Sequence, residues 1–302
     1  MNSLRPEYVA RWRAIAEKKG LPPESYNPAV RRVEDPSGKS PFKFGVLNNS
    51  YRFERDNSPQ SASACFLCDA VTEATQNPEL QVAEGLEGYI CVAQKFPGMR
   101  EHSLALAQET RPNERPIYTT SNLNGLEREL AKIFQFGAQT GWRMYHNGVG
   151  VGASIPGHEH WHMTNFHGHF EQAGPIGFEA AEHGSTIISP GTYQMRGYPF
   201  AHMIFEETEP DRIVAFLKRM HSSLGGRYGQ GFVPHVLVQG QGKVLVVPAK
   251  QFREKGTGSG DIAGNIVVKT REEFEQATHA SCINKLGEIL YPEDELNLIR
   301  LL

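Results

Sequence analysis

The sequence predicts an α+β fold made of two halves, each an antiparallel sheet with helices packed on it. Three observations carry that expectation. A length of 302 residues suffices for two fused domains of roughly 150 residues each. Short runs rich in β-branched and aromatic residues, bounded by Gly, Pro and polar clusters, alternate with amphipathic segments of helical period. The order strand–helix–strand–strand occurs twice, with a boundary near 170–185. The corresponding organisation is an N-terminal helix and extended arm over 1–64, a first half over 65–175 and a second half over 176–302.

In chain order, residues 3–18 read as a helix with Tyr8, Val9, Trp12, Ile15 and Ala16 on one face and Gly20 ending it. From 21 to 64 the chain is rich in Pro, Ser, Asn and Arg, and reads as an arm with short strands that wraps or lines something. Strands follow at GYICVA (88–93) and HSLALA (102–107). A helix over 121–140 has Ser121 as its N-cap and Leu126, Leu130, Ile133 and Phe134 on its apolar face. WRMYHN (142–147) and HEHWHMTNF (158–166) close the first half as strands. The second half repeats the order with a strand at FAHMIFE (200–206) and a helix from Thr208 to Leu224. Strands at HVLVQ (235–239) and KVLVVP (243–248) follow, joined by a Gly240-Gln241-Gly242 turn. A last strand at GNIVV precedes a helix opened by a capping box of Thr270 and Glu273.

Composition excludes several classes. Lys plus Arg (31) against Asp plus Glu (34) gives a net charge of -3, so no charge excess favours nucleic acid or an anionic membrane surface. No apolar run approaches the length of about 18 residues that spans a bilayer. The N-terminus is a charged amphipathic helix rather than a signal peptide, and four cysteines make no disulfide framework. A cytoplasmic location is the expectation.

The chemistry concentrates in NGVGVGASIPGHEHWHMTNFHGHF (147–170). On a strand, residues i, i+2 and i+4 share a face, so His158, His160 and His162 point together while Glu159, Trp161 and Met163 point away. Such a face can bind a metal, present a neutral imidazole that attacks phosphorus, or carry no function. The preceding glycines at 148, 150, 152 and 157 favour phosphorus chemistry, since glycine lets backbone amides approach phosphate oxygens. Asn147 and Ser154 add neutral donors, whereas His167 and His169 fall past the strand and read as bystanders. On the arm, Arg31 and Arg32 are candidates to hold phosphates or a base. Arg196 and Lys250, at strand ends of the second half, are candidates to reach substrate. Cys91 and Cys282 read as packing residues, and GTGSG (256–260) as a flexible loop rather than a phosphate cradle.

The pattern N-G-x-G-x-G-A-S-x-P-x-H-x-H-x-H resembles the active-site segment of the histidine-triad superfamily, within its galactose-1-phosphate uridylyltransferase-like branch. YNPAVRR (26–32), CFLC (65–68) and DIAGNIVVKTREEFEQAT (261–278) resemble further segments of the GDP-hexose and diadenosine tetraphosphate phosphorylases of that branch. The resemblance implies two histidine-triad-like halves, of which the second lacks the motif. It implies a nucleotidyltransferase or phosphorylase acting on an NDP-sugar or dinucleoside polyphosphate through a covalent nucleotidyl-His160 intermediate. His158 then orients the site or ligates metal, and Asn147, Gly152 and Ser154 contact phosphate. Cys65, Cys68 and His158 correspond to ligands of a structural zinc, and a homodimer is implied. The nucleotide is the only other partner expected, with no nucleic acid and no membrane.

The chain departs from the branch at two places. His162 stands where the branch has Gln; it can exchange protons near neutral pH, which raises nucleotide hydrolysis as an alternative. The usual place of a fourth zinc ligand reads Gln108-Glu109-Thr110, leaving Glu109 or His102 as substitutes. A metal-dependent enzyme using His158, His160 and His162 as a ligand triad is the rival reading, and a non-catalytic nucleotide-binding protein a third.

Overall fold

A computed structural model describes residues 4–53, 65–108, 123, 125–147, 158–165, 185–195, 197–206, 210–228, 232–239, 243–250, 258–296 and 298–301. The first helix, α1 (Pro6–Lys18), starts at a proline, whose missing N–H and fixed φ suit the first helical position. It buries Trp12, Ile15 and Ala16, and Gly20 takes the left-handed turn after it at φ 64°. A short helical turn α2 (Pro23–Tyr26) leads into β1 (Ala29–Val33) and β2 (Phe44–Asn48), the short strands expected of the arm.

The first half comprises α3 (Phe66–Gln76), β3 (Gln81–Ala83), β4 (Tyr89–Ala93), β5 (Ser103–Ala107), α4 (Leu126–Thr140), β6 (Arg143–His146) and β7 (His160–Thr164). The second comprises β8 (Ser185–Ser189), β9 (Thr192–Met195), β10 (Met203–Glu206), α5 (Pro210–Tyr228), β11 (Phe232–Gln239) and β12 (Lys243–Lys250). The C-terminal segment adds α6 (Ser259–Ile262), β13 (Asn265–Val268), α7 (Arg271–Gln276) and α8 (His279–Gly287). Thr270 and Glu273 form the expected capping box on α7. The Ser121 cap and the Gly240-Gln241-Gly242 turn lie outside the described residues. The α4 helix begins at Leu126, behind Gly125 in the left-handed conformation.

Ten strands form one sheet in the order β3-β4-β5-β7-β6-β11-β12-β10-β9-β8. Every neighbouring pair is antiparallel. The order divides at the β6–β11 pairing into two sets of one topology. In each, three strands meander, a helix follows, and a hairpin returns with its second strand inserted beside the third strand. Sequence reasoning found the later part of this unit twice and missed α3 and the short strands β3, β8 and β9.

Strand periodicity sorts the two faces. Trp161 and Met163 of β7, Met144 of β6 and Val236 and Val238 of β11 pack against α1, α4 and α5 in the larger core. Full burial of each such side chain contributes about 2–3 kcal/mol. On the opposite face α3 covers β4 and β5 through Leu67, Val71, Ile90, Val92, Leu104 and Leu106. The second half is covered there by a small sheet, β1-β2-β13, with β13 parallel to β2. The N-terminal arm and the C-terminal segment therefore build one layer. Between these covers lie β6 and β7, which present Tyr145, His160 and His162. Among the described residues no helix is long and apolar enough to cross a membrane.

Candidate active site

The chain folds as a strand only from His160, so strand alternation places His160 and His162 on one face and does not govern His158. The expected common face of three histidines is corrected accordingly. His160 and His162 are buried neighbours with ring centroids 5.2 Å apart, while the His158 ring turns to two thiols. Among the described residues, no group of three metal-ligand atoms includes His160 or His162. The metal-triad reading fails on that geometry.

His160 Nδ1 lies 2.8 Å from the His158 carbonyl oxygen. A carbonyl can only accept, so Nδ1 carries the proton and the lone pair of a neutral His160 resides on Nε2. That is the tautomer of a nucleophile.

His162 sits in a buried chain. Its Nδ1 is 2.9 Å from His102 Nε2, and its Nε2 is 3.0 Å from Asn147 Nδ2. The Tyr145 ring stacks on the imidazole at 4.9 Å and 3°. The Gly98 amide donates to His102 Nδ1 at 3.0 Å, and Ser259 donates to Asn147 Oδ1 through its amide at 2.9 Å and its hydroxyl at 2.5 Å. With Nδ1 held by His102, Nε2 beside the Asn147 amide and 6% exposure, His162 is placed for a hydrogen-bonding task, which a glutamine also performs. Glu101, immediately before His102, is buried in a left-handed conformation at φ 46°, with Arg13 at 3.7 Å. Such a backbone costs of order 1–3 kcal/mol, and here it turns the chain that delivers His102.

Cys65, Cys68 and His158 come together, their ligand atoms all within 4.8 Å of one another. His158 Nδ1 is 3.6 Å from Cys65 Sγ and 3.3 Å from Cys68 Sγ. Tetrahedral zinc holds sulfur and nitrogen ligands about 3.5 Å apart, so the set fits zinc. Burial pushes the Cys65 thiol up, but hydrogen bonds with His158 and with the Cys68 amide and thiol outweigh it and bring it down to about 7. Burial and the neighbouring Cys65 push Cys68 up to about 11. His158 Nε2 is buried and has no hydrogen-bond partner among the described residues. His102 is corrected as a fourth ligand, because its two nitrogens serve Gly98 and His162. Glu109 lies outside the described residues.

The remaining candidates separate. Arg31 donates to the Ala277 carbonyl and lies 5.8 Å from the Phe274 ring, tying the arm to α7 and α8; Arg32 pairs with Glu34. Lys250 donates to the Gly287 carbonyl at 3.3 Å and lies over Tyr291, so it serves the end of α8. Gly152, Ser154, His167, His169 and Arg196 lie outside the described residues. Cys91 and Cys282 are buried, and burial pushes their thiols up to about 12 and about 11. Sequence reasoning missed Tyr145 and Ser259. At Ser259 the local signal misleads, since GTGSG reads as a flexible loop while the chain is helical from Ser259.

A ten-stranded antiparallel sheet of two equivalent five-strand sets, with a buried histidine pair on β7 of the first, defines the fold as two histidine-triad-like halves. Solved structures of yeast Ap4A phosphorylase Apa2 share it. The structure in complex with Ap4A gives a TM-score of 0.61 at 19% identity, over 97% of this chain and 98% of that one. The complex with AMP gives 0.59 at 18%, over 96% and 99%, and a third structure 0.63 at 17%, over 96% of each. No protein-family model matches the sequence, and no curated protein matches it.

Proposed function

We propose that the protein is a nucleotidyltransferase of the phosphorylase type, acting on a dinucleoside polyphosphate or an NDP-sugar through a covalent nucleotidyl-His160 intermediate. The observation that carries this reading is the His160 Nδ1 contact to the His158 carbonyl, which leaves the Nε2 lone pair for attack. The fold shared with a phosphorylase whose structures hold Ap4A and AMP supports the dinucleoside polyphosphate as the first class to test.

In the proposed reaction, His160 Nε2 attacks the α-phosphorus and the phosphoanhydride P–O bond breaks, releasing a nucleoside polyphosphate or sugar phosphate. Inorganic phosphate then attacks the nucleotidyl phosphorus, the P–N bond breaks, and a nucleoside diphosphate leaves with His160 regenerated. Donors from Asn147 and, in the glycine loop, Gly152 and Ser154 stabilise charge on the phosphoryl oxygens. Cys65, Cys68 and His158 would hold zinc, which when bound supplies structural rigidity ahead of β7. His158 meanwhile offers its carbonyl to His160. We place the protein in the cytoplasm, since four cysteines in 302 residues make no disulfide framework. The homodimer implied by the resemblance is read directly by sedimentation velocity.

Hydrolysis is the second reading, motivated by His162 in place of Gln. Burial and the His102 contact at Nδ1 favour phosphorolysis, because an imidazole held away from water exchanges protons poorly. The test is product analysis with Ap4A and a GDP-hexose, each with and without phosphate. Phosphate-dependent formation of nucleoside diphosphate is expected; phosphate-independent release of nucleoside monophosphate would establish the hydrolase instead.

A further inference from the structure

Ser259 belongs to the C-terminal segment, yet it makes its contacts in the first half's site, 112 positions away in sequence. It is fully buried. Its place is built: the Gly258 amide donates to Asp261 Oδ2 at 2.9 Å, and Lys285 Nζ donates to Asp261 Oδ1 at 3.3 Å. The segment approaches closely as well. A Cβ at Gly258 would lie 3.4 Å from Asn147 Oδ1, and one at Gly260 would lie 3.2 Å from Met99.

A side-chain amide can turn either end toward a neighbour, whereas a backbone N–H can only donate. The Ser259 amide, 2.9 Å from Asn147, therefore fixes that atom as the carbonyl oxygen and turns the Asn147 NH2 toward His162 Nε2. The far end of the chain sets the opposite sense. Because the Gly98 amide donates to His102 Nδ1, a neutral His102 carries its proton on Nε2 and donates to His162 Nδ1. A neutral His162 then carries its own proton on Nε2. Two N–H groups converge where His162 meets Asn147, and converging donors suit an anionic oxygen. With the amide reversed, the Asn147 carbonyl would accept from His162, and that oxygen would repel a phosphoryl oxygen at the same place.

We propose that Ser259 is a positioning residue: through its backbone amide it orients Asn147 so that the site presents converging N–H donors to a substrate phosphoryl oxygen. The C-terminal segment thereby completes the first half's anion seat. This rests on the nucleotidyl-transfer reading for the substrate, but the amide orientation is measurable without turnover.

The test compares Ser259→Ala, which keeps the backbone N–H, with Ser259→Pro, which removes it at the first position of a helical turn where proline is tolerated. The readouts are ¹⁵N NMR of the His162 ring and Asn147 side chain, and AMP affinity by calorimetry. Ser259→Ala is expected to leave the His162 and Asn147 signals in place and weaken AMP binding less than about fivefold, the loss of one neutral hydrogen bond. Ser259→Pro is expected to shift both sets of signals and weaken AMP binding at least about tenfold, as a donor is replaced by a repelling oxygen. Equal AMP affinity and unshifted signals in Ser259→Pro overturn the proposal. Should Ser259→Pro unfold, Asn147→Asp decides: it keeps both Ser259 bonds but offers His162 no N–H. Its AMP binding should fall at least tenfold, and wild-type affinity there overturns the proposal. If the unaltered protein forms no nucleotidyl adduct while Ser259→Pro still shifts Asn147, the positioning role stands and the reaction assigned above falls.

Discussion

At His160 a single carbonyl fixes the tautomer: the His158 oxygen holds the proton on Nδ1 and leaves the lone pair on Nε2. The residue between them, Glu159, turns the other way and accepts from the Tyr89 hydroxyl at 2.9 Å. His158 also faces Cys65 and Cys68, and that donor set gives the zinc prediction. Elemental analysis of the purified protein is expected to find about one zinc per chain, with chelation lowering Tm and Cys68→Ala reducing the metal content. A metal-free protein whose Tm ignores chelators would contradict the assignment. The histidine motif was legible in the sequence because its spacing is short and the glycines precede it. The role of His102 was not. Its partner His162 lies 60 positions away, and only the antiparallel β5–β7 pairing brings them together.

At the scale of elements, long periodic segments were read well and short ones poorly. The α4 and α5 helices bury regular apolar stripes, Leu130, Ile133 and Phe134 in one and Ile213, Phe216 and Leu217 in the other, and their period shows through. The α3 helix has no side-chain cap at Cys65, and its cysteines drew the reading to their spacing instead. Strands of three to five residues such as β3 and β9 hold too few alternations to declare themselves. The repeat carries one further detail: a histidine immediately precedes the third meander strand in each half, His102 before β5 and His202 before β10. In the second half this imidazole is wholly buried; its Nδ1 faces the Phe200 carbonyl at 2.7 Å, and its Nε2 accepts from the Met195 amide at 2.6 Å. Burial pulls its pKa down from 6.5 to about 4. The folded state thus binds this proton less readily than the unfolded chain, so its stability is full above pH 6.5 and is lost as pH falls toward 4. At pH 5 the loss is about 2 kcal/mol. Denaturant unfolding between pH 7 and 5 should show this slope, and His202→Gln should flatten it; an unchanged slope in the variant would assign the acid sensitivity elsewhere.

Across the whole molecule, the two sets of strands join through β6 and β11, with Tyr145 opposite Leu237 and His146 opposite Val236. The junction buries what would be an open edge in either half alone. On the first-half side β7 bears His160 and His162, and the C-terminal segment reaches Asn147 beside them through Ser259. Two halves were visible in the sequence as repeated element order. The layer made by β1, β2 and β13 was not, because a parallel pairing across more than 200 residues leaves no local signal. Covalent transfer through His160 is the central claim, and intact-mass and peptide spectrometry after incubation with Ap4A in the absence of phosphate tests it most directly. The account predicts a nucleotidyl mass on the peptide carrying His160, discharged by added phosphate and missing in His160→Ala, whose turnover falls at least about a thousandfold. An adduct that persists in His160→Ala, or turnover that survives the substitution, would contradict it.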